Sequence, residues 1–342
     1  MAFKKGTSAE TTQGKIISEY ILKYPNWFPL ASLGRIIAHE NPHTFTDAEQ
    51  ARNSLKYYKG KRGEDSRKQG TREFNEKEKR KSTPFAIPPT WGKEKEIFQI
   101  PKALKKAGFI ADLQCPFHDP KAIDIAFDYI TKENCDHLII NGDLLDFYGL
   151  SFFEKDPRKR DFKHEYDMCL QFLGYIKNAF PNIPIYYSLD ANHEFRYERY
   201  MLTKAPILLG LSNAFELSEL LMLNNFGIIP LKGNDHIRFG DLHVIHGHTV
   251  FSRGSGVSPA RTLYLRTKEN MIASHVHRTS EYTDKDFNGK IKTCWTTGHL
   301  MHPNVEYCQH LDQYNQGFAI LEKDLSGQFE VNNKRIYLNK VR

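Results

Sequence analysis

Apolar runs of three or four residues, each followed closely by a compact polar cluster, recur along the middle of the chain. Phe109-Ile110-Ala111 runs into Asp112-Leu113-Gln114, and His137-Leu138-Ile139-Ile140 into Gly142-Asp143-Leu144-Leu145-Asp146. Ile185-Tyr186-Tyr187 leads to Asn192-His193-Glu194, His243-Val244-Ile245 to His246-Gly247-His248, and Met271-Ile272-Ala273 to Ser274-His275-Val276-His277. Short apolar runs bounded in this way predict buried strands. Helical patterns lie between them. Pro120 opens one whose stripe is Ile123, Ala126, Phe127 and Ile130, ending near Lys132; others cover residues 162–180 and 206–223. The alternation predicts an α/β domain with a mainly parallel sheet and helices outside. Beyond Trp295, β-branched and aromatic residues predict antiparallel strands near residues 317–322 and 328–337.

The N-terminal stretch has a different period. Ile16, Ile17, Tyr20 and Ile21 keep helical spacing up to Pro25, and Leu30, Leu33, Ile36 and Ile37 repeat it up to Pro42. Thr46 with Glu49 three residues on reads as a capping box opening a third helix through Ala51, Leu55 and Tyr58. Three short helices predict a small all-α module resembling a helix-turn-helix. Its third helix carries Arg52, Lys56 and Lys59 and runs on to Lys61 and Arg62. These five are candidate nucleic-acid contacts; a solvated basic face is the equal alternative. Residues 60–81 are charged with mixed sign, a linker or an exposed helix, and residues 83–89 read as an extended segment. The expected division is a module at 1–60, a linker and lead-in at 61–100, and an α/β domain at 101–342.

Charge sharpens that division. Residues 1–91 hold 17 Lys and Arg against 10 Asp and Glu, while the whole chain holds 48 against 41. The net +7 therefore belongs to the N-terminal part, a field that suits a polyanion such as nucleic acid. Met1 is followed by lysines without an apolar segment, and the most apolar stretch, residues 207–223, contains Glu216 and Glu219. A cytoplasmic protein without a membrane partner is expected. Five cysteines without a CxxC pair agree with a reducing compartment. The pattern carries no signal for oligomeric state.

Carboxylates, amides and imidazoles gathered at strand ends lie where open α/β sheets place their ligands, and they suit one or two divalent cations. In order, the five clusters resemble the calcineurin-like metallophosphoesterase superfamily, whose pattern runs DxH, GDxxD, GNHE or GNHD, HGH and GHxH. The match covers residues 112–277. It implies a four-layer α/β/β/α sandwich and two cations bridged by Asp143. Asp112, Gln114 and His277 would complete one metal site; Asn192, His246 and His275 would complete the other. Two such ions, about 3.5–4 Å apart, serve hydroxide attack on a phosphoester. His193 would protonate the leaving oxygen, oriented by Asp146. His275 and His277 alternate, so on a regular strand both rings share a face. Asn192-His193-Glu194-Phe195-Arg196 with Arg199 also resembles phosphoesterases encoded by bacteriophages, which implies the bacterial host cell as the compartment.

Three positions depart from the family pattern. Gln114 stands where histidine is usual; an amide oxygen is a hard donor, favouring Mn²⁺, with Mg²⁺, Fe²⁺ or Zn²⁺ as alternatives. His118, four residues on, offers an imidazole if a turn brings it back. Ala191 and Ser274 replace glycines, a difference that matters only where φ is positive. The protein-phosphatase branch carries Arg after the second Asp of GDxxD, whereas Phe147 follows here. That argues for the nuclease and phosphodiesterase branches. Arg196, Arg199, Arg253 and Arg278 lie near the clusters as candidate phosphate contacts. The leading expectation is a phosphodiesterase or nuclease acting on nucleic acid. A phosphatase of nucleotides or other small phosphoesters is the alternative, and a non-catalytic scaffold keeping a degenerate site is a third.

Overall fold

The structure, a computed structural model, describes residues 11–59, 88–92, 94, 96–151, 161–305 and 313–342. Lys61, Arg62 and the charged linker lie outside the described residues. The chain divides into two compact units, residues 1–91 and 92–342.

In the first unit, helices α1 (Thr12–Lys23), α2 (Leu30–Glu40) and α3 (Ala48–Tyr58) follow the predicted periodicity. Ile17, Ile21, Leu33, Ile37, Ala51 and Leu55 meet in one core, into which the α2–α3 connection inserts Phe45. The cap of α3 falls one residue later than Thr46. Asp47, in extended conformation, accepts the Gln50 N–H at 2.7 Å, and Gln50 Oε1 accepts the Thr46 N–H at 2.7 Å. The carboxylate reaches the third helical N–H from an extended N-cap, and the Gln50 side chain caps the Thr46 N–H just before it, in place of the expected Thr46–Glu49 box. Arg52 pairs with Glu49 at 3.0 Å, and Lys59 donates to Asn26 at 3.3 Å.

The second unit holds two facing sheets. One has the order β13-β12-β11-β2-β3-β4-β5 and the other β1-β6-β7-β8-β10-β9. The first contains β2 (Lys106–Ile110), β3 (His137–Ile140), β4 (Ile185–Ser188) and β5 (Ile228–Leu231), all parallel. It continues through antiparallel β11 (Gly317–Lys323), β12 (Phe329–Tyr337) and β13 (Lys340–Val341). The second contains β1 (Glu96–Gln99), β6 (Asn234–Phe239), β7 (Leu242–Ile245), β8 (Met271–Ala273), β9 (Ser280–Lys285) and β10 (Ile291–Thr296). Both sheets are mixed rather than mainly parallel. Because β1 pairs with β6, the lead-in assigned to residues 61–100 ends inside this unit.

The period of two along each strand builds the layers. Phe109, Ile139 and Tyr186 point into the core between the sheets with Phe239, Val244 and Ile272. Ile110, Leu138, Ile140, Ile185 and Tyr187 point outward, against helices α4 (Pro120–Lys132) and α5 (Phe162–Ala179). On the far face, α9 (Pro259–Thr267) packs Ala260, Leu263 and Tyr264 over Met271, Ala273 and Cys294. The result is helix, sheet, sheet, helix. The apolar stretch at 206–223 is not one helix. After α6 (Glu194–Lys204) it breaks into α7 (Pro206–Leu211), a 3₁₀ turn (Asn213–Phe215) and α8 (Leu217–Leu220). Ser212 and Glu216 are extended between them, and Ser212 Oγ accepts the Ala214 N–H at 3.1 Å. Local capping of this kind competes with helix continuation.

Candidate metal centre

Strands β2, β3 and β4 run parallel, as do β7 and β8, so their C-terminal ends form two edges. Asn141, buried after β3, joins these edges: its Nδ2 donates to the Ile245 carbonyl at 2.7 Å and to Ser274 Oγ at 2.8 Å. The predicted clusters converge there. Asp112, Asp143, Asp146 and Glu194 are all buried, an arrangement that demands positive charge nearby.

Three acceptors meet at His246. Its Nδ1 donates to the Asn141 carbonyl at 2.8 Å, which leaves Nε2 with its lone pair. That Nε2 lies 3.0 Å from Asn192 Oδ1 and 3.2 Å from Asp143 Oδ2. Oxygen and nitrogen lone pairs so close require a proton or a cation between them. Burial disfavours a charged imidazole, but Asp143 outweighs it and lifts the His246 pKa to about 10. His275 completes this group: one ligand atom from each of Asp143, His246 and His275 lies within 4.8 Å of the others. Burial and the neighbouring His246 push its own pKa down to about 4.

Beside it stands a second group. Asp112 Oδ2 accepts the His275 backbone N–H at 2.9 Å, and its Oδ1 lies 3.5 Å from His277 Nε2. Gln114 Nε2 is 3.4 Å from the same nitrogen. Asp112, Gln114, Asp143, His275 and His277 all adopt positive φ, between 49° and 71°. His275 and His277 are therefore not on a regular strand; β8 ends at Ala273, and a left-handed bend turns the two rings. Such backbone costs about 1–3 kcal/mol per residue and persists only where the surroundings impose it. Ala191 and Ser274, at the glycine positions of the pattern, do not adopt positive φ. Gly142 does, at +88°, and a Cβ there would come within 2.3 Å of the Ala191 Cβ.

His193 sits between carboxylates, with Nδ1 3.2 Å from Asp146 Oδ1 and Nε2 3.6 Å from Asp143 Oδ2. Burial works against its charged form, and Asp143 and Asp146 overcome it, leaving the pKa above the ordinary value. Arg196, from the first turn of α6, places Nη1 2.7 Å from the Asp146 carbonyl and Nη2 3.1 Å from His193 Nε2. Arg278 instead donates to the Val257 carbonyl at 2.9 Å, and Arg199 and Arg253 are exposed. His118 stacks on Phe172 at 4.9 Å, in the outer helical layer.

Two residues given no role by the sequence matter here. Glu194 accepts N–H groups from Asp143 and Leu144, both at 3.0 Å, and the Tyr187 hydroxyl at 2.6 Å. It ties the turn after β3 to the loop after β4. His299 is buried with its ring 5.2 Å from that of His277. The signal was available: Thr297-Gly298-His299 follows β10 as the other clusters follow their strands.

A family model described as calcineurin-like phosphoesterase matches residues 105–310. The chain belongs to the calcineurin-like phosphoesterase family. It is a hydrolase of the metallophosphoesterase type, and the family uses divalent metals. Gene 54 protein of Mycobacterium phage L5 is 27% identical over 234 residues, 64% of this chain and 89% of that protein. Gene 54 protein of Mycobacterium phage D29 is 26% identical over the same shares. Among solved structures, Vps29 complexed with Zn²⁺ from Entamoeba histolytica is 13% identical with a TM-score of 0.36, covering 69% of this chain and 96% of that one. A dimetal phosphatase from Danio rerio is 12% identical with a TM-score of 0.33, covering 68% and 96%.

The residues fit divalent cations on their own geometry. Asp112 Oδ1, His275 Nδ1, His277 Nδ1 and His299 Nδ1 are buried without a hydrogen-bond partner among the described residues. Buried polar atoms are normally satisfied, and Asp112 and His275 carry theirs within the two groups described above, where a cation would meet them. No helix of the described residues is long and apolar enough to cross a membrane.

Proposed function

We propose that this phosphoesterase is a two-metal phosphodiesterase or nuclease acting on nucleic acid. The observation that carries the reading is the convergence of His246 Nε2, Asn192 Oδ1, Asp143 Oδ2 and His275 in one buried cluster, whose lone pairs a shared divalent cation would bind together. Asn192, His246, His275 and Asp143 would hold one ion, and Asp112, Gln114, His277 and Asp143 the other. Mn²⁺ suits the oxygen-rich donor set with its amide from Gln114. Bound divalent ions supply Lewis-acid polarisation of the phosphoryl group and lower the pKa of water.

The protein's own groups do the rest. A guanidinium only donates, so the Arg196 contact makes His193 Nε2 an acceptor and leaves Nδ1–H toward Asp146. To act as general acid, His193 carries a proton on Nε2, and Arg196 then turns from it to a phosphoryl oxygen. Asp146 fixes the ring throughout. Phe147, where the protein-phosphatase branch has Arg, is fully buried against Phe162 and Tyr197 and cannot grip phosphate. This favours a diester over a phosphoprotein. The positive balance of residues 1–91 supports a polyanionic substrate. The matching proteins come from mycobacteriophages, which supports action in the cytoplasm of an infected bacterium.

The test is Mn²⁺-dependent hydrolysis of bis-p-nitrophenyl phosphate and of single- and double-stranded DNA, by wild type and Asp143→Asn. Both activities are expected, and both are lost in the variant. Monoester hydrolysis without polynucleotide cleavage would favour the small-phosphoester reading. Absence of all hydrolysis would leave a scaffold.

A further inference from the structure

A cavity of about 320 Å³ opens beside His246, between the loop after β4, the start of α6 and strands β6 and β7. His246 belongs to this wall and to the metal cluster, so the cavity adjoins the position a phosphoester would take. Its volume is at the lower end for small-molecule sites. Three features define what it accepts. Phe195, on the first turn of α6, lines it half-exposed (49%), while Tyr197 and Met201 of the same helix are buried. Asp190 and Glu198 also line it, anchored to the Gly233 N–H at 3.0 Å and to Lys232 at 3.5 Å. His248 adds an Nδ1 without a hydrogen-bond partner among the described residues.

Two carboxylates, that of Glu198 partly offset by Lys232, disfavour a further phosphate. Each has about four lone-pair sites, so each can accept an additional N–H. An exposed ring beside such acceptors suits a flat heterocycle with N–H donors along its edge. We propose that this cavity is a nucleobase subsite: the base next to the scissile phosphate stacks on Phe195, and Asp190 and Glu198 accept its N–H groups. Guanine, with adjacent N1–H and N2–H donors, is the best match, whereas thymine offers one N–H. The assignment rests on the proposed function for its phosphoester and deepens it by naming what flanks that ester.

The test measures binding of guanosine 5′-monophosphate by calorimetry in Mn²⁺, for the full chain, Phe195→Ala and Phe195→Tyr. In parallel, KM is measured for the p-nitrophenyl ester of guanosine 5′-phosphate and for methyl p-nitrophenyl phosphate. Phe195→Ala should weaken nucleotide binding and raise the guanosine-ester KM roughly fivefold to a hundredfold. The methyl-ester KM should not move, and Phe195→Tyr should restore wild-type values. No nucleotide binding, equal binding by Phe195→Ala and wild type, or equal losses on both esters would overturn the subsite. Nucleotide binding that depends on Phe195, with neither ester hydrolysed, would sink the hydrolytic reading and leave the subsite standing.

Discussion

Glu194 gives the most exacting test of how the centre is held. Its two oxygens accept the Asp143 and Leu144 N–H groups and the Tyr187 hydroxyl, and the side chain is buried. Glu194→Ala leaves two buried backbone donors without an acceptor; the tyrosyl hydroxyl can rotate. An unsatisfied buried donor costs about 1–3 kcal/mol, so the pair costs about 4 kcal/mol. For a unit of this size each kcal/mol moves Tm by about 2–4 °C, giving a fall of roughly 8–16 °C. Removing a carboxylate works the other way, since burial and Asp143 raise the Glu194 pKa to about 7. The three hydrogen bonds that define the turn outweigh that relief. Because Asp143 follows its own N–H, metal affinity should also fall, by about 10–100-fold as for other groups that orient ligands. Glu194→Gln keeps one carbonyl acceptor but turns an amide N–H toward a backbone N–H, so it should be intermediate. Thermal unfolding without metal and calorimetric titration with Mn²⁺ measure both effects. An alanine variant within about 1 kcal/mol of wild type, or one with unchanged Mn²⁺ affinity, would refute the reasoning.

Three further outcomes are expected. His193→Ala should keep its bound metal and lose ~10²–10⁴-fold in turnover, read from single-turnover hydrolysis beside metal analysis; unaltered turnover removes the general-acid role. Replacing Arg52, Lys56 and Lys59 together by Ala should reduce the salt dependence of single-stranded DNA binding by up to about two units of log K per log salt. An unchanged slope would make their face merely solvated. His137 is buried between the sheets, and burial lowers its pKa despite Asp136 at 2.5 Å. The folded form thus favours neutral imidazole, and its contribution to stability is lost as pH falls below the unfolded value of about 6.5. His137→Gln should lessen the loss of unfolding free energy between pH 7 and pH 5, measured by denaturant titration.

Much of the architecture was legible along the chain because its causes are local. Apolar runs such as His137–Ile140 bury both faces of a strand, and the polar residues after them stop it, so strand ends and the order of candidate ligands could be read directly. Pro120 at the first helical turn and the stripe behind it fixed α4 for the same reason. The sequence also separated a basic helical unit from a neutral one.

Other features depend on groups far apart in sequence. The left-handed turns at Asp112, Gln114, Asp143, His275 and His277 have no local signature; contacts such as Asp112 Oδ2 with the His275 N–H, across 163 positions, impose them. That Arg196 also reaches Asp146 and His193 could not be read from the sequence, because α6 has to be in place to carry it there. Glu194 reads as part of a motif until its partners prove to be backbone amides fifty positions away. Local sequence determined which donors end each strand. Only the packing of two sheets, which brings their edges within hydrogen-bond reach through Asn141, decided which donors lie together and which side chains hold them there.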